Sequence, residues 1–600
     1  MTDLDTLDVP ADDGNDVRWD LGGLVADFGG MDGALDRAAA IAEELQPVRG
    51  TVASLDAAGL AAVLGRLSEL QELIQRGVEW AQLEQCTDTE DPVRGARVQR
   101  ADERATEIAN RVLFFGLEWA AVAHEAAESL LGDPQLAAYV NHLRVVRAMR
   151  DHLLPESEEQ LLARKAVTGR SAWVRLFEEL VSAISVTLDG APATLERGLS
   201  ALASNDPGVR AKAAAAVTDA LAAGLKTRAF ILNTLMADKA TDDELRRFPT
   251  WVSSRNLDNQ ASDASVDALV SAVQARYDLP QRWYRLKARI LGVERLHDFD
   301  RMASVASSDR AYGFTEGKGI VLDAFRGFSP ELADISQRFF DEGWIDAGTR
   351  PGKRFGAFCA YTVPSHHPYV LLNWTSRRGD VLTLAHELGH GVHAYLARSQ
   401  TVFSQGTPLT VAETASVFGE QLTFAALLAD TADANDRLAL LAESIEGGIA
   451  TVFRQVAMNR FEHGAHTARR AEGELSVDRL GDIWAETQGA MLGEAVEVTP
   501  GYRTWWSYIP HFIGVPGYVY AYSYGQLLAM SVFRQSQIQG SDFTARYLHM
   551  LSAGGSLPPE DLAKIVGCDL ADPGFWDGGL ALIEAQIDAA ELAAADAGRL

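Results

Sequence analysis

The sequence predicts a mainly α protein with one small β-sheet, and three observations carry that reading. Apolar residues recur at three- and four-residue spacing, with charges between them, over most of the 600 residues. Alanine is abundant in those stretches, which raises their helix propensity. Near residue 350 the texture changes to short aromatic and β-branched runs bounded by Gly, Pro and His.

Taken in order, the periodic stretches predict helices over 33–45, 53–80, 93–131, 157–188, 191–205 and 208–240. The turn-rich Ser204-Asn205-Asp206-Pro207-Gly208 marks a soft boundary between a helical domain over 21–205 and a second domain over 206–590. Residues 1–20 read as an acidic, solvated tail. "KRFGAFCAYTV" and "YVLLNW" are expected strands, and "YVLLNW" is a candidate for holding an extended peptide by strand addition, although an interior strand reads the same way. A helix containing residues 382–396 follows the strands, and helical spacing resumes over 411–429, 435–472, 476–493 and 519–538. No repeat of fixed length runs through the chain, which argues against a solenoid.

Bulk properties exclude several classes of function. A hydrophobic fraction of 47% supports a large core, and the length of 600 residues suggests two or more domains. A formal net charge of −29 repels nucleic-acid phosphates and anionic membrane surfaces. The start of the chain has six Asp and no basic residue before Arg18, unlike a signal or transit peptide. The longest uncharged run, residues 512–533, contains Pro516, Gly517, Gln526 and four tyrosines, a poor membrane span. Cys86, Cys359 and Cys568 are odd in number and far apart, which fits a reducing cytoplasm and no disulfide framework.

The chemistry concentrates in "LTLAHELGHGVHAYL", residues 382–396. His386 and His390 are one helical turn apart, so both imidazoles can converge on one cation, with Glu387 beside them to hold a water. Val381, Leu382, Leu384, Ala385, Leu388 and Val392 carry no charge, so the helix is expected to be largely buried. Buried imidazoles need partners, and a metal is one. The chain supplies its own control in "VAHEAAESL", residues 122–130, where Glu128 replaces the second histidine and an ordinary helix face is expected. Eight of the thirteen histidines fall between His366 and His511.

A hydrolytic zinc needs three protein ligands and one open position. His393 is seven residues beyond His386, about 10 Å further along the axis, out of reach of an ion about 2 Å from the other two rings. The third ligand must come from another helix, and "PLTVAETASVFGEQ", residues 408–421, offers Glu413 and Glu420. Thr410-x-x-Glu413 also fits a capping box, in which the carboxylate only closes a helix end. Spacing leaves these alternatives open.

These residues carry a resemblance. "GDVLTLAHELGHGVHAYL" followed by "VAETASVFGEQ" resembles the oligoendopeptidase F-type branch of the thimet oligopeptidase-like zinc metallopeptidases. "GKRFGAF" and "HPYVLLNW" precede the motif at that family's spacing, "IPHFIGVPGYVYAYSYG" is similar to its late His/Tyr segment, and "WDLGGL" to its N-terminal signature. The resemblance implies that His386, His390 and Glu413 bind one Zn2+ and that Glu387 is the catalytic carboxylate. It implies a two-lobed helical body, a deep channel admitting short unstructured peptides, and catalysis in residues 206–590. It places His511 and Tyr518 at the substrate carbonyl, with Tyr522 as a further candidate. Ser523-Tyr524-Gly525 departs from the branch, which more often has a small residue in place of the tyrosine, and this leaves the second tyrosine open. If a helix begins near Tyr518, then Tyr518 and Tyr522 share a face, and Tyr520 and Tyr524 point elsewhere.

The expected activity is therefore hydrolysis of internal bonds in short peptides by a zinc-activated water with Glu387 as general base. Expected partners are peptides, with no nucleic acid and no membrane; oligomeric state is not readable from the sequence. A helical peptide-binding protein with a structural metal is the competing class, disfavoured because such a site has no need of Glu387. A scaffold for protein partners has little motif support.

Overall fold

The computed structural model describes residues 12–306 and 310–600, and they are overwhelmingly helical, with three small sheets. The chain forms two compact units that it crosses between more than once. The first comprises residues 1–150, 309–430 and 532–569, and the second residues 151–308, 431–531 and 570–600. The turn at 204–208 lies inside the second unit, where Asp206 caps the helix Pro207–Ala222 by accepting from Gly208 N–H. Residues 12–20 pack in the first unit, with Ala347 N–H donating to the Val17 carbonyl and Phe314 N–H to that of Asp12. The rest of the expected tail lies outside the described residues.

Most of the expected helices are present, including His124–Leu131 in the control segment. One expectation fails. Residues 185–188 and 191–194, read as parts of helices, form an antiparallel hairpin. Asp189 and Gly190 both have positive φ, at 50° and 81°, which matches the right-handed twist of a two-residue hairpin. The Asp-Gly pair and the alternation of "SVTL" carried that signal against the helical period around them.

The sheet that positions the site belongs to the first unit. Tyr369–Trp374 is its central strand, parallel to Ile345–Gly348 on one side and antiparallel to Phe358–Ala360 on the other. "YVLLNW" is thus interior, and Ile345–Gly348 and Phe358–Ala360 are the outer strands. The buried ammonium of Lys353 ties the sheet, donating to the carbonyl oxygens of Gly348 at 2.8 Å and Leu372 at 2.5 Å.

The motif helix, Arg378–Leu396, begins two residues after the sheet's next turn. Asp380 fixes its start by accepting from the backbone N–H groups of Thr375 and Arg377. Val381, Leu384, Ala385, Leu388 and Val392 are buried as expected, and Leu382 is half-buried. Its main neighbour is the helix Ser416–Asp430. The two cross closely because Gly389 faces the carbonyl of Ala415, and Gly419 faces that of Ala385. A Cβ on Gly389 would stand 2.4 Å from the Ala415 oxygen.

The second unit is centred on an aromatic-rich core that includes Phe461, Trp484, Tyr502, Trp506 and Phe512. Among the described residues no helix is long and apolar enough to cross a membrane.

Gly389→Ala forces the Ser416 helix away from the motif helix. The expected cost is about 1–3 kcal/mol, the scale of overpacking in a tight core. Calorimetry should show a lower Tm; an unchanged Tm would mean the two helices can separate without penalty.

Candidate metal centre

One turn of helix sets His386 and His390 with ring centroids 5.0 Å apart and planes at 80°. The third residue arrives from the connection between two helices. Leu409–Ala412 is a single turn, Glu413 follows it, and the longer helix starts at Ser416. The capping-box alternative fails here: Glu413 sits at the C-terminal end of a turn, not at the third position of a starting helix. Ser416 Oγ donates to Glu413 Oε2 at 2.7 Å and orients it.

Glu413 Oε2 lies 3.3 Å from His386 Nε2 and 3.4 Å from His390 Nε2. Two ligands each about 2.0–2.1 Å from a tetrahedral ion are about 3.3–3.4 Å apart, so this separation suits one shared cation. Two imidazole nitrogens and one carboxylate oxygen are also the donor set that zinc takes. These three residues form the one group of ligand type gathered within 4.8 Å among the described residues. Glu420 is not part of it. Its Oε2 lies 3.3 Å from Nδ1 of His386, on the other side of the ring, where it fixes which nitrogen faces the centre.

The electrostatics favour positive charge at this point. Burial lowers the pKa of the His386 imidazole, but the carboxylates of Glu413 and Glu420 outweigh it and push it up to about 10. Burial raises the Glu413 carboxyl, yet its hydrogen bonds to the two histidines hold it far below the usual carboxylate range. Glu387 is 7% exposed, and burial pushes its carboxyl up against the opposing pull of His386 and His390. A carboxylate raised by burial holds a proton more readily than a free one, as a general base must. His393 is buried and pushed down to about 3 by desolvation, then by His390; it packs edge-on to the Tyr361 ring and is not a ligand.

A cavity of about 420 Å³ opens beside these groups, lined by Glu387, His390, Cys359, Tyr361 and Thr407 among others. Cys359 and Tyr361 are the residues that sequence reasoning missed. The Tyr361 hydroxyl is 3.5 Å from His390 Nδ1, and the Cys359 backbone N–H donates to Glu387. Their place in "FCAYTV" just before the motif was a signal of proximity, but not of which side chains face the cavity.

The second unit gathers the late His/Tyr segment. His511 Nε2 is 3.2 Å from the Tyr522 hydroxyl, and the His511 ring stacks near that of Tyr518, with centroids 6.2 Å apart. Tyr518 and Tyr522 lie edge to face at 5.1 Å. The helix begins at Tyr520, two residues later than the spacing suggests, but the division of faces is as expected. Tyr520 and Tyr524 are fully buried, hydrogen-bonded to Asn259 and Ser265. Buried Glu462, a further residue the sequence did not flag, accepts from Gly517 N–H at 2.8 Å and holds the turn before Tyr518.

Comparison with known proteins adds an independent line. Residues 200–582 match the profile described as Peptidase family M3, and residues 118–185 match Oligopeptidase F. Oligopeptidase PepF of Bacillus subtilis is 27% identical over 538 residues, covering 87% of this chain and 79% of the relative. A crystal structure from Chlamydophila abortus is similar with a TM-score of 0.88 at 22% identity, covering 96% of this chain and 98% of that one. That of oligoendopeptidase-F from Enterococcus faecium has a TM-score of 0.68 at 22% identity, over 94% of this chain and 98% of that chain.

The geometry separates the two acidic candidates. Glu413→Gln should lose most bound metal after mild chelation, while Glu420→Gln should weaken binding only about 10–100-fold, as loss of an orienting partner does. Metal content by elemental analysis decides it; depletion confined to Glu420→Gln would reverse the assignment.

Proposed function

The chain belongs to peptidase family M3, a family of metallopeptidases, and from that premise we propose that it is a zinc-dependent endopeptidase cutting internal bonds of short, unstructured peptides. The observation that carries the zinc reading is the common 3.3–3.4 Å separation of Glu413 Oε2 from the two histidine nitrogens. Zinc held by His386, His390 and Glu413 would lower the pKa of a water at its open position and polarise the scissile carbonyl.

The remaining work falls to the chain's own groups. Glu387 takes a proton from the attacking water on its carboxylate and returns it to the leaving amine. Its burial excludes bulk water and raises its carboxyl above the ordinary value. Glu420 holds His386 in one orientation. Phe358–Ala360 is an outer strand beside the cavity, and an extended peptide laid along it would bind through main-chain groups other than the Cys359 N–H, which Glu387 holds. In this reading His511 and Tyr518 donate to the negative charge that develops on the carbonyl oxygen, with Tyr522 holding the His511 ring; their mutual contacts support a joint role. The reading assigns catalysis to residues 206–590, in keeping with the span of the family profile. A cytoplasmic location suits the three free cysteines.

Two sets of kinetics test this. Glu387→Gln should retain metal and fold while kcat falls about 10²–10⁴-fold, and chelation should abolish cleavage by the parent protein. Cleavage by Glu387→Gln at near the parent rate would remove this residue from the chemistry.

For the second set, Tyr518→Phe and His511→Ala should each lower kcat about a hundred- to a thousand-fold, the usual effect of deleting an oxyanion donor, with little change in KM or metal. Tyr520→Phe should leave kcat nearly alone. A Tyr518→Phe enzyme within a few-fold of the parent would return that ring to a packing role.

A further inference from the structure

Arg170 and Glu462 reach the backbone of the late His/Tyr segment from two other helices, Arg170–Ser182 and Arg454–Glu472, and in different settings. Arg170 Nη2 donates to the Gly514 carbonyl at 2.7 Å from an exposed position. Glu462 Oε1 accepts from Gly517 N–H at 2.8 Å in the interior, where Glu462 is 2% exposed. Gly517 is buried and takes a φ of +77°, which suits glycine. A Cβ there would stand 3.2 Å from Val252 Cγ2 and 3.4 Å from Trp251 Cζ3. Packing and one buried hydrogen bond thus fix the turn from which Tyr518 leaves.

The surroundings of Glu462 make it an uncharged acceptor at neutral pH. Its Oε2 is buried with no hydrogen-bond partner. The cations that bear on it, Lys239 and Arg255, are drawn to other acids, Lys239 at 2.8 Å from Asp243 and Arg255 at 3.6 Å from Asp258. His463 and His466, on its own helix, are both lowered by burial, His466 to about 3, so neither supplies positive charge. Burial outweighs the pull of Gly517 N–H and the two cations, and pushes the Glu462 carboxyl up to about 8. An ionised carboxylate in this place would lose its hydration and recover a single N–H.

We propose that Glu462 is a positioning residue, which aims the Tyr518 hydroxyl at the reacting carbonyl by holding Gly517. This rests on the reading of Tyr518 as an oxyanion donor. Glu462 acts on the rate through the placing of that hydroxyl, and a misplacement on the order of 1 Å costs up to about a hundredfold.

The test is a double-mutant cycle on one short peptide, with kcat, KM and bound metal measured for each protein. Glu462→Met fills the space but leaves Gly517 N–H unpaired, and should lower kcat about ten- to a hundredfold with KM and metal unchanged. Glu462→Gln keeps a neutral acceptor and should retain most of the parent's kcat. Glu462→Asp keeps the acid but draws it back by one methylene. It should lose kcat as the methionine variant does, and it takes that variant's place in the cycle if methionine prevents folding. In a Tyr518→Phe background the same substitution should cost less than about twofold more, because the group it places is gone. An equal loss in both backgrounds overturns the proposal. So does a kcat at the parent's level in Glu462→Met, a loss confined to KM, or a glutamine variant as impaired as the methionine one. A Tyr518→Phe protein with the parent's kcat overturns the oxyanion reading itself, and the role of Glu462 with it.

Discussion

The close crossing of the motif helix and the helix Ser416–Asp430 is the constraint on which the site depends. Two histidines on one helical turn are common; what makes them a centre is a carboxylate brought to the same point from a different segment. Gly389 and Gly419 allow backbone to lie against backbone at this crossing, since a Cβ on either would collide with a carbonyl or a ring. Glu413 sits three residues before Ser416, so its reach to His386 and His390 is set by that approach. Moving the second helix outward by the width of a methyl group would exceed the tolerance of a metal–ligand distance, about 0.2 Å.

Around that point the chain places three carboxylates in three different settings. Glu413 faces both ring nitrogens and is held strongly acidic by them. Glu420 lies behind one ring and turns it. Glu387 faces the cavity and is pushed toward neutrality by burial. All share one residue type, and environment alone separates the roles. The excess of acid over imidazole is also why His386 is pushed up to about 10: the arrangement stabilises positive charge there.

The small sheet forms a wall of the cavity beside these groups. Its order puts "YVLLNW" in the middle, mostly buried, and leaves Phe358–Ala360 as the outer strand next to the cavity. Lys353 and Asn373, from the two segments that read as strands and flanking loop, hold the turn before that strand through carbonyl contacts. The polar residues of "GKRFGAF" and "HPYVLLNW" thus fasten the wall of the site.

The sequence by itself determined the helical class, the placing of His386 and His390 on one helical turn, and the division of tyrosines into two faces. Each of these is local, fixed by a period of 3.6 or 2.0 residues within a short window. It left Glu413, Glu420 and a helix cap as rivals, because sequence spacing does not say which side of His386 each carboxylate reaches. It mistook 185–188 and 191–194 for helix ends, because a two-residue Asp-Gly turn was outvoted by the helical period on both sides. The edge strand, the Cys359 and Tyr361 wall and the contact of Glu462 with Gly517 were decided only by tertiary structure. They depend on which segments pair and how closely helices cross, and those are relations between residues far apart in the chain.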